Sequence, residues 1–171
     1  MTPRILVAGI GNIFLGDDAF GVEVARKLTE AGLPENVRVV DYGIRGFDLS
    51  FALMDDYDTF ILIDAVPRGD APGTLYTIEV DMSAVDEESQ EAPDAHALDP
   101  VRVLRIVKAM GGRPKHVLLV GCEPVPLTED EQYEGLVGLS APVEAAVEEA
   151  VRIVGSLVNR IEREQQIIAA S

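Results

Sequence analysis

The sequence is poor in cysteine and aromatic residues, and it has no long apolar run. Its only cysteine is Cys122, so no intramolecular disulfide can form, and we expect a protein of the reducing cytoplasm. Tryptophan is absent and aromatic residues make up 5% of the chain, so the core must be built from Val, Ile, Leu and Ala. No apolar run approaches the roughly 20 residues that cross a bilayer, and no charged-then-apolar signal precedes the first predicted strand.

Basic residues are also scarce. There are 14 Lys and Arg against 30 Asp and Glu, which gives a formal net charge of −16. Nucleic acids and anionic membranes would be repelled, so we expect partners among small molecules, cations or proteins. A hydrophobic fraction of 47% over 171 residues predicts one globular domain spanning residues 1–171, with a frayed tail over about 165–171.

The first 21 residues predict a strand, a glycine turn and a helix. The strand covers residues 5–8, and Gly9, Gly11 and Gly16 mark the turn that follows. Asp17 and Asp18 then fall at the start of the helix, beyond the carboxyl end of the strand. Asp is a favoured N-cap, which accounts for one carboxylate but not easily for both. Ligands of open α/β sheets bind at the carboxyl ends of strands, so we expect a functional role for one of the pair.

Three further predicted strands are also followed by carboxylates. Asp41 follows residues 37–40, Asp64 follows residues 60–63, and Glu123 comes shortly after residues 116–120. Residues 74–80 alternate well enough to form an antiparallel edge strand. Predicted helices between the strands include one capped by Asp99 and a long last one opened by Ser140. Strands that alternate with helices predict an α/β fold with a mostly parallel sheet covered by helices on both faces.

The carboxylates suggest a metal site. If Asp18, Asp64 and the loop residue His96 converge above adjacent strand ends, they offer two carboxylate oxygens and one imidazole nitrogen, an open ligand set. His96 taken alone also fits a surface residue beside a helix. His116, at the head of a strand, belongs to the opposite end of the sheet and is expected to be structural.

Other chemistries find less support. Cys122 follows a buried strand without an obvious histidine partner and is expected to be a core residue. Ser140 is explained by helix capping and stands in no nucleophile elbow. The glycine turn suggests a dinucleotide site, but Phe14 stands where the third glycine belongs, and the acidic pair would oppose a pyrophosphate.

Several short motifs follow one another along nearly the whole chain. They are Gly9-x-Gly11-Asn12, Asp17-Asp18 with Gly21, Asp41-x-Gly43, Ile63-Asp64-Ala65, Pro72-Gly73-Thr74, His96, Gly121-Cys122-Glu123-Pro124 and Gly138-Leu139-Ser140. Each is weak alone, but their order and spacing are specific. Together they resemble the endopeptidases that mature nickel-iron hydrogenases by removing a C-terminal extension from the large-subunit precursor.

The resemblance implies a fold, a site and a partner. The fold is a single three-layer αβα sandwich around a twisted, mostly parallel five-stranded sheet. The metal-contacting and catalytic residues correspond to Asp18, Asp64 and His96, with Asp41 as an aid to substrate positioning. The nickel belongs to the loaded hydrogenase precursor, so no permanent cofactor is expected. Two alternatives stay open, a nickel-checking maturation chaperone that does not cut and a nucleotide-binding α/β enzyme.

Overall fold

A five-stranded sheet forms the centre of the computed structural model, which describes residues 2–85, 99–128 and 135–170. The strands are β1 (Ile5–Ile10), β2 (Val37–Gly43), β3 (Thr59–Ala65), β4 (Leu75–Glu79) and β5 (Val117–Cys122). Their order across the sheet is β2-β1-β3-β5-β4. All neighbouring pairs are parallel except β4 with β5, which confirms the predicted antiparallel edge strand.

Four strands extend further at their carboxyl ends than the sequence predicts, and two of them, β3 and β5, lie beside each other near the centre of the sheet. β3 is buried along its whole length and includes Asp64, which pairs with Gly121 of β5 instead of following the strand. β5 likewise continues through Cys122. A strand with neighbours on both sides continues while its backbone groups find partners there, whatever the side chain. Asp64 is therefore held by the sheet itself and not by a loop.

Four α-helices cover the two faces of the sheet, as predicted for an αβα sandwich. They are α1 (Phe20–Ala31), α2 (Gly46–Ala52), α3 (Pro100–Ala109) and α4 (Ala141–Ala169). α2 is the shortest of the four, and α4 is helical as far as Ala169. No helix in the described ranges combines the length and apolarity that a bilayer crossing would require.

The core consists of two apolar clusters, one on each face of the sheet. Alternate residues of β1, β3 and β5 point to opposite faces, because side chains alternate along a strand. One cluster joins the sheet to α1 and α4 through residues such as Val7, Phe20, Ile63, Val120 and Val154. The other joins it to α2 and α3 through residues such as Leu6, Leu49, Leu62, Val103 and Leu119. The aliphatic core expected from composition is confirmed.

Helix α1 lies unusually close to the sheet because two glycines face each other. A Cβ on Gly21 would lie 2.1 Å from the carbonyl oxygen of Ile63 and 2.3 Å from that of Ile10. A Cβ on Gly9 would lie 2.4 Å from the carbonyl oxygen of Gly21. Only glycine permits this approach, which brings the start of α1 over the carboxyl ends of β1 and β3.

Candidate active site

Asp17 and Asp18 lie in a single turn of 3-10 helix, Gly16–Ala19, between β1 and α1. The N-cap of α1 is Ala19, with no side-chain cap, so the interpretation of one aspartate as an N-cap is wrong. The extra helical turn displaces both carboxylates from the capping position. Each is free to make contacts outside its own helix, and the two point to different surroundings.

Asp17 joins this turn to a distant part of the chain. It is 5% exposed and accepts three hydrogen bonds, from the Val125 amide at 2.9 Å, the Ser140 amide at 2.7 Å and the Ser140 hydroxyl at 2.8 Å. Ser140 is the N-cap residue of α4, but its side chain makes no capping bond. The expectation that capping explains Ser140 is therefore wrong, because its hydroxyl donates to Asp17 instead. Asp17 is a structural anchor.

Asp18 is half-buried and has fewer partners. One carboxylate oxygen accepts a hydrogen bond from the Asn12 amide at 2.8 Å. Burial raises the pKa of the Asp18 carboxyl above its ordinary value, and the Asn12 bond only partly opposes that rise. Within the described ranges the Asn12 amide is the one hydrogen-bond donor to the Asp18 side chain, which leaves its other oxygen able to accept at the carboxyl end of β1.

Asp64 is more deeply buried than Asp18, and the charge of Asp18 acts on it. Its side chain lies at the carboxyl end of β3, is 2% exposed, and accepts a hydrogen bond from the Ala65 amide at 2.9 Å. Burial raises the pKa of Asp64 well above its usual range, and the nearby charges of Asp18 and Asp99 raise it further. Two of the three predicted ligands, Asp18 and Asp64, therefore lie near enough for their charges to interact, and we call them the carboxylate pair.

Asp99 has a second role that its position in the sequence did not reveal. It caps α3, as predicted, by accepting a hydrogen bond from the Val101 amide at 2.9 Å. Its charge also makes a small contribution to the raised pKa of Asp64. Capping explained this residue completely at the sequence level, so no signal pointed to the second role.

Glu123 supports the loop that follows β3. The sequence marks it only as a carboxylate after a strand, yet it is 5% exposed and accepts hydrogen bonds from the amides of Arg68 at 2.7 Å and Gly69 at 3.1 Å. The Arg68 guanidinium lies 4.5 Å from the ring centre of Tyr76. Glu123 therefore fixes the loop leaving β3 next to Asp64.

The glycine turn has its backbone amides engaged within the protein. The Gly11 amide donates to the Gly43 carbonyl at 3.0 Å, and the Gly16 amide donates to the Leu136 carbonyl at 2.9 Å. The Asn12 amide is taken by Asp18, while the Phe14 amide donates to the Asn12 side chain at 2.9 Å. A phosphate-binding turn needs such amides available, so this geometry disfavours the dinucleotide interpretation.

The remaining predicted residues are less close to the pair or lie outside the described ranges. Asp41 is exposed at the end of β2, opposite Gly9, and the Arg45 side chain donates to its backbone carbonyl. His96 lies outside the described residues. Within residues 2–85, 99–128 and 135–170, no three metal-ligating side chains converge. His116 is exposed at the opposite end of the sheet, 3.8 Å from Glu79.

Cys122 does not resemble a nucleophile. Its side chain is fully buried, and burial together with the charges of Asp17 and Glu123 raises the pKa of the thiol to about 12. The reactive form of cysteine is the thiolate, which is negligible for such a group at neutral pH. Cys122 is a core residue, as predicted.

Comparison with known proteins identifies the family. The family model described as hydrogenase maturation protease matches residues 22–157. The hydrogenase expression/formation protein HupD of Rhizobium leguminosarum bv. viciae is 35% identical over 159 residues, covering 90% of this chain and 75% of its own. The hydrogenase 2 maturation protease of Escherichia coli is 35% identical over 153 residues, covering 88% of each chain. The solved structure of the hydrogenase maturating endopeptidase HybD from E. coli has a TM-score of 0.71 at 30% identity, covering 92% of this chain and 93% of its own. The chain therefore belongs to the hydrogenase maturation protease family.

Proposed function

We propose that this protein is an endopeptidase that removes the C-terminal extension of a nickel-iron hydrogenase large-subunit precursor after nickel has been inserted. In this proposal Asp18, Asp64 and His96 contact the nickel that the precursor carries. The metal enters with the substrate, so the protein needs no resident ion. Family membership supports the peptidase activity, and the carboxylate pair supports the metal-dependent step.

The carboxylate pair is the observation that carries the proposal. Asp64 is buried at the end of a central strand, and the charged groups that shift its pKa are both carboxylates, Asp18 and Asp99. A buried carboxylate without a cation is costly unless it binds a proton or a positive ligand. A divalent ion placed between Asp18 and Asp64 would remove both the repulsion and the burial cost of the charges.

Chain geometry supports His96 as the third contact. Asp99 lies three residues after His96, and its charge acts on Asp64. An extended chain advances by about 3.3–3.6 Å per residue, so three residues separate two Cα atoms by at most about 11 Å. Imidazole is a common ligand for nickel, so His96 completes the ligand set of the proposal.

The proposed chemistry is hydrolysis of one peptide bond. Nickel held by the precursor and contacted by the two carboxylates polarises the scissile carbonyl or activates a water molecule. Water adds to the carbonyl carbon, the carbon–nitrogen bond breaks, and the leaving nitrogen takes up a proton. A carboxylate oxygen of the pair that the ion does not engage accepts the proton from water and passes it to the leaving nitrogen.

The test is the intact mass of a large-subunit precursor after incubation with the protein. Nickel-loaded and nickel-free precursors are compared, using wild type, Asp18→Asn, Asp64→Asn and His96→Gln. His116→Gln and Glu79→Gln serve as matched controls, because they change a histidine and a carboxylate at the opposite end of the sheet. Thermal unfolding of every variant checks that each one is folded.

Loss of one C-terminal peptide from loaded precursor alone, abolished by the three site substitutions and kept in both controls, is the expected result. Cutting of nickel-free precursor at the same rate would contradict the metal-dependent mechanism while leaving the protease assignment intact. A precursor that binds but is never cut by wild type would favour the maturation chaperone instead.

A further inference from the structure

Large apolar side chains are exposed beside the carboxylate pair. We define the apolar rim as five residues at the carboxyl end of the sheet, on the turn after β1 and on the segment that runs from the end of β2 through α2. They are Ile13 (47% exposed), Phe14 (61%), Ile44 (61%), Phe47 (71%) and Phe51 (58%). Three of the five phenylalanines in the chain belong to it, so these large apolar side chains lie at the surface and not in the core.

The two segments of the rim lie side by side. β1 and β2 are parallel neighbours, and the Gly11 amide of the first segment donates to the Gly43 carbonyl of the second at 3.0 Å. Ile44 directly follows this contact. Phe47 and Phe51 are four residues apart and so share one side of α2, which turns its opposite side, with Leu49, into the core.

The rim is attached to the candidate active site through Asn12. The Asn12 side chain accepts a hydrogen bond from the Phe14 amide at 2.9 Å, and its own amide donates to the Asp18 carboxylate at 2.8 Å. The turn that presents Ile13 and Phe14 is therefore fixed relative to Asp18. A polypeptide lying on this turn would therefore lie close to Asp18.

We propose that the apolar rim docks an apolar surface of the large-subunit precursor and so delivers the scissile bond to Asp18 and Asp64. This inference rests on the proposed function for the identity of the partner. Groups of large exposed apolar side chains on one part of a surface mark interaction sites in monomeric proteins. The rim is joined to the site through Asn12, so the protein that enters the site is the one placed to contact the rim.

Charge favours a different protein over a second copy of this chain. Each copy carries a net charge of −16, so electrostatic repulsion would oppose self-association. The exposed carboxylates of Asp41 and Asp48 flank the rim, and the nearby Arg45 is already engaged by both residues. The complementary surface is therefore apolar with basic residues around it.

The test measures affinity separately from cutting. Nickel-free precursor is immobilised, and binding of wild type is compared with that of the double variant Phe47→Ser/Phe51→Ser by biolayer interferometry. Ile167→Ser/Ile168→Ser is the matched control, because these residues are 67% and 75% exposed near the end of α4. Sedimentation of each protein alone reports self-association, and intact mass measures cutting of loaded precursor at saturating enzyme.

We expect the Kd of the rim variant for the precursor to be at least tenfold higher than that of wild type. The Kd of the control should stay within twofold of wild type. The Kd of wild type should be higher at 300 mM salt than at 50 mM salt. Equal affinity of rim variant and wild type would overturn the proposal. So would a wild-type dimer that the rim variant converts to monomer without a change in precursor affinity, because the occupant would then be a second copy. If neither wild type nor any variant cuts the loaded precursor, but the rim variant binds the precursor more weakly than wild type does, docking is upheld and the protease function is rejected. If the rim variant cuts loaded precursor normally and binds it as tightly as wild type, the protease function is upheld and docking at the rim is rejected.

Discussion

Replacing Asp17 with alanine tests the division of roles between the two neighbouring aspartates. The substitution removes three hydrogen bonds and leaves the amides of Val125 and Ser140 without their acceptor. A hydrogen bond to a charged group contributes about 1.5–3 kcal/mol, and this gain is offset in part by the cost of burying the carboxylate. We expect Asp17→Ala to lower the free energy of unfolding by about 3–5 kcal/mol, as for the loss of one member of a buried polar cluster. For a chain of this size that corresponds to a Tm lower by roughly 6–20 °C.

Urea denaturation followed by circular dichroism measures the loss. Ser140→Ala removes only the hydroxyl bond and should cost about 1–2 kcal/mol. Asp18→Asn keeps an oxygen that can accept from the Asn12 amide and removes a carboxyl whose pKa is raised by burial. This substitution should therefore leave the free energy of unfolding unchanged or raise it. If Asp17→Ala destabilises by less than 1 kcal/mol, or no more than Asp18→Asn, the assignment of Asp17 as the anchor is wrong.

Three further predictions concern a charge, a close approach and a thiol. Because the native pKa of Asp64 is raised above the ordinary 3.8, the native state holds a proton that the unfolded chain releases. Wild-type stability should therefore fall relative to Asp64→Asn as pH rises from about 4 through the raised pKa, and a pH-independent difference in urea denaturation would contradict this. Gly21→Ala should lower the free energy of unfolding by at least about 3 kcal/mol, since its Cβ would overlap two strand carbonyls, whereas Gly155→Ala, with open space around it in α4, should raise it by about 0.5–1 kcal/mol. Cys122, with a thiol pKa of about 12, should resist iodoacetamide in the native protein at pH 8, and rapid alkylation seen by mass spectrometry would refute its burial.

The sequence predicts elements well where periodicity and punctuation agree. The five strands, the antiparallel edge and the two-sided cover of helices follow from short apolar runs separated by turns, and the structure confirms them. Strand ends are predicted less well, because Asp64 lies inside β3 while its polar side chain suggests that the strand has already ended. Backbone pairing with β5, which is distant in sequence, decides that point.

The site was predictable in its location but not in its division of labour. Asp17 and Asp18 have the same side chain and adjacent positions, and nothing local distinguishes them. They differ because Val125 and Ser140, more than 100 residues away, provide three donors to one and none to the other. The second role of Asp99 was hidden for a similar reason, since capping already explained the residue.

The burial of Asp64 links stability to the proposed function. Among the described residues its charge is opposed by two other carboxylates and aided by a single backbone amide, so the folded chain is less stable for carrying it ionised. Two fully buried strands flank β3 and hold Asp64 in place regardless of that cost. A cation that arrives with a substrate would relieve the cost without any rearrangement of the sheet, because the pair is already assembled. Under the proposed function, the repulsion between these carboxylates would favour a substrate that carries a metal over one without it.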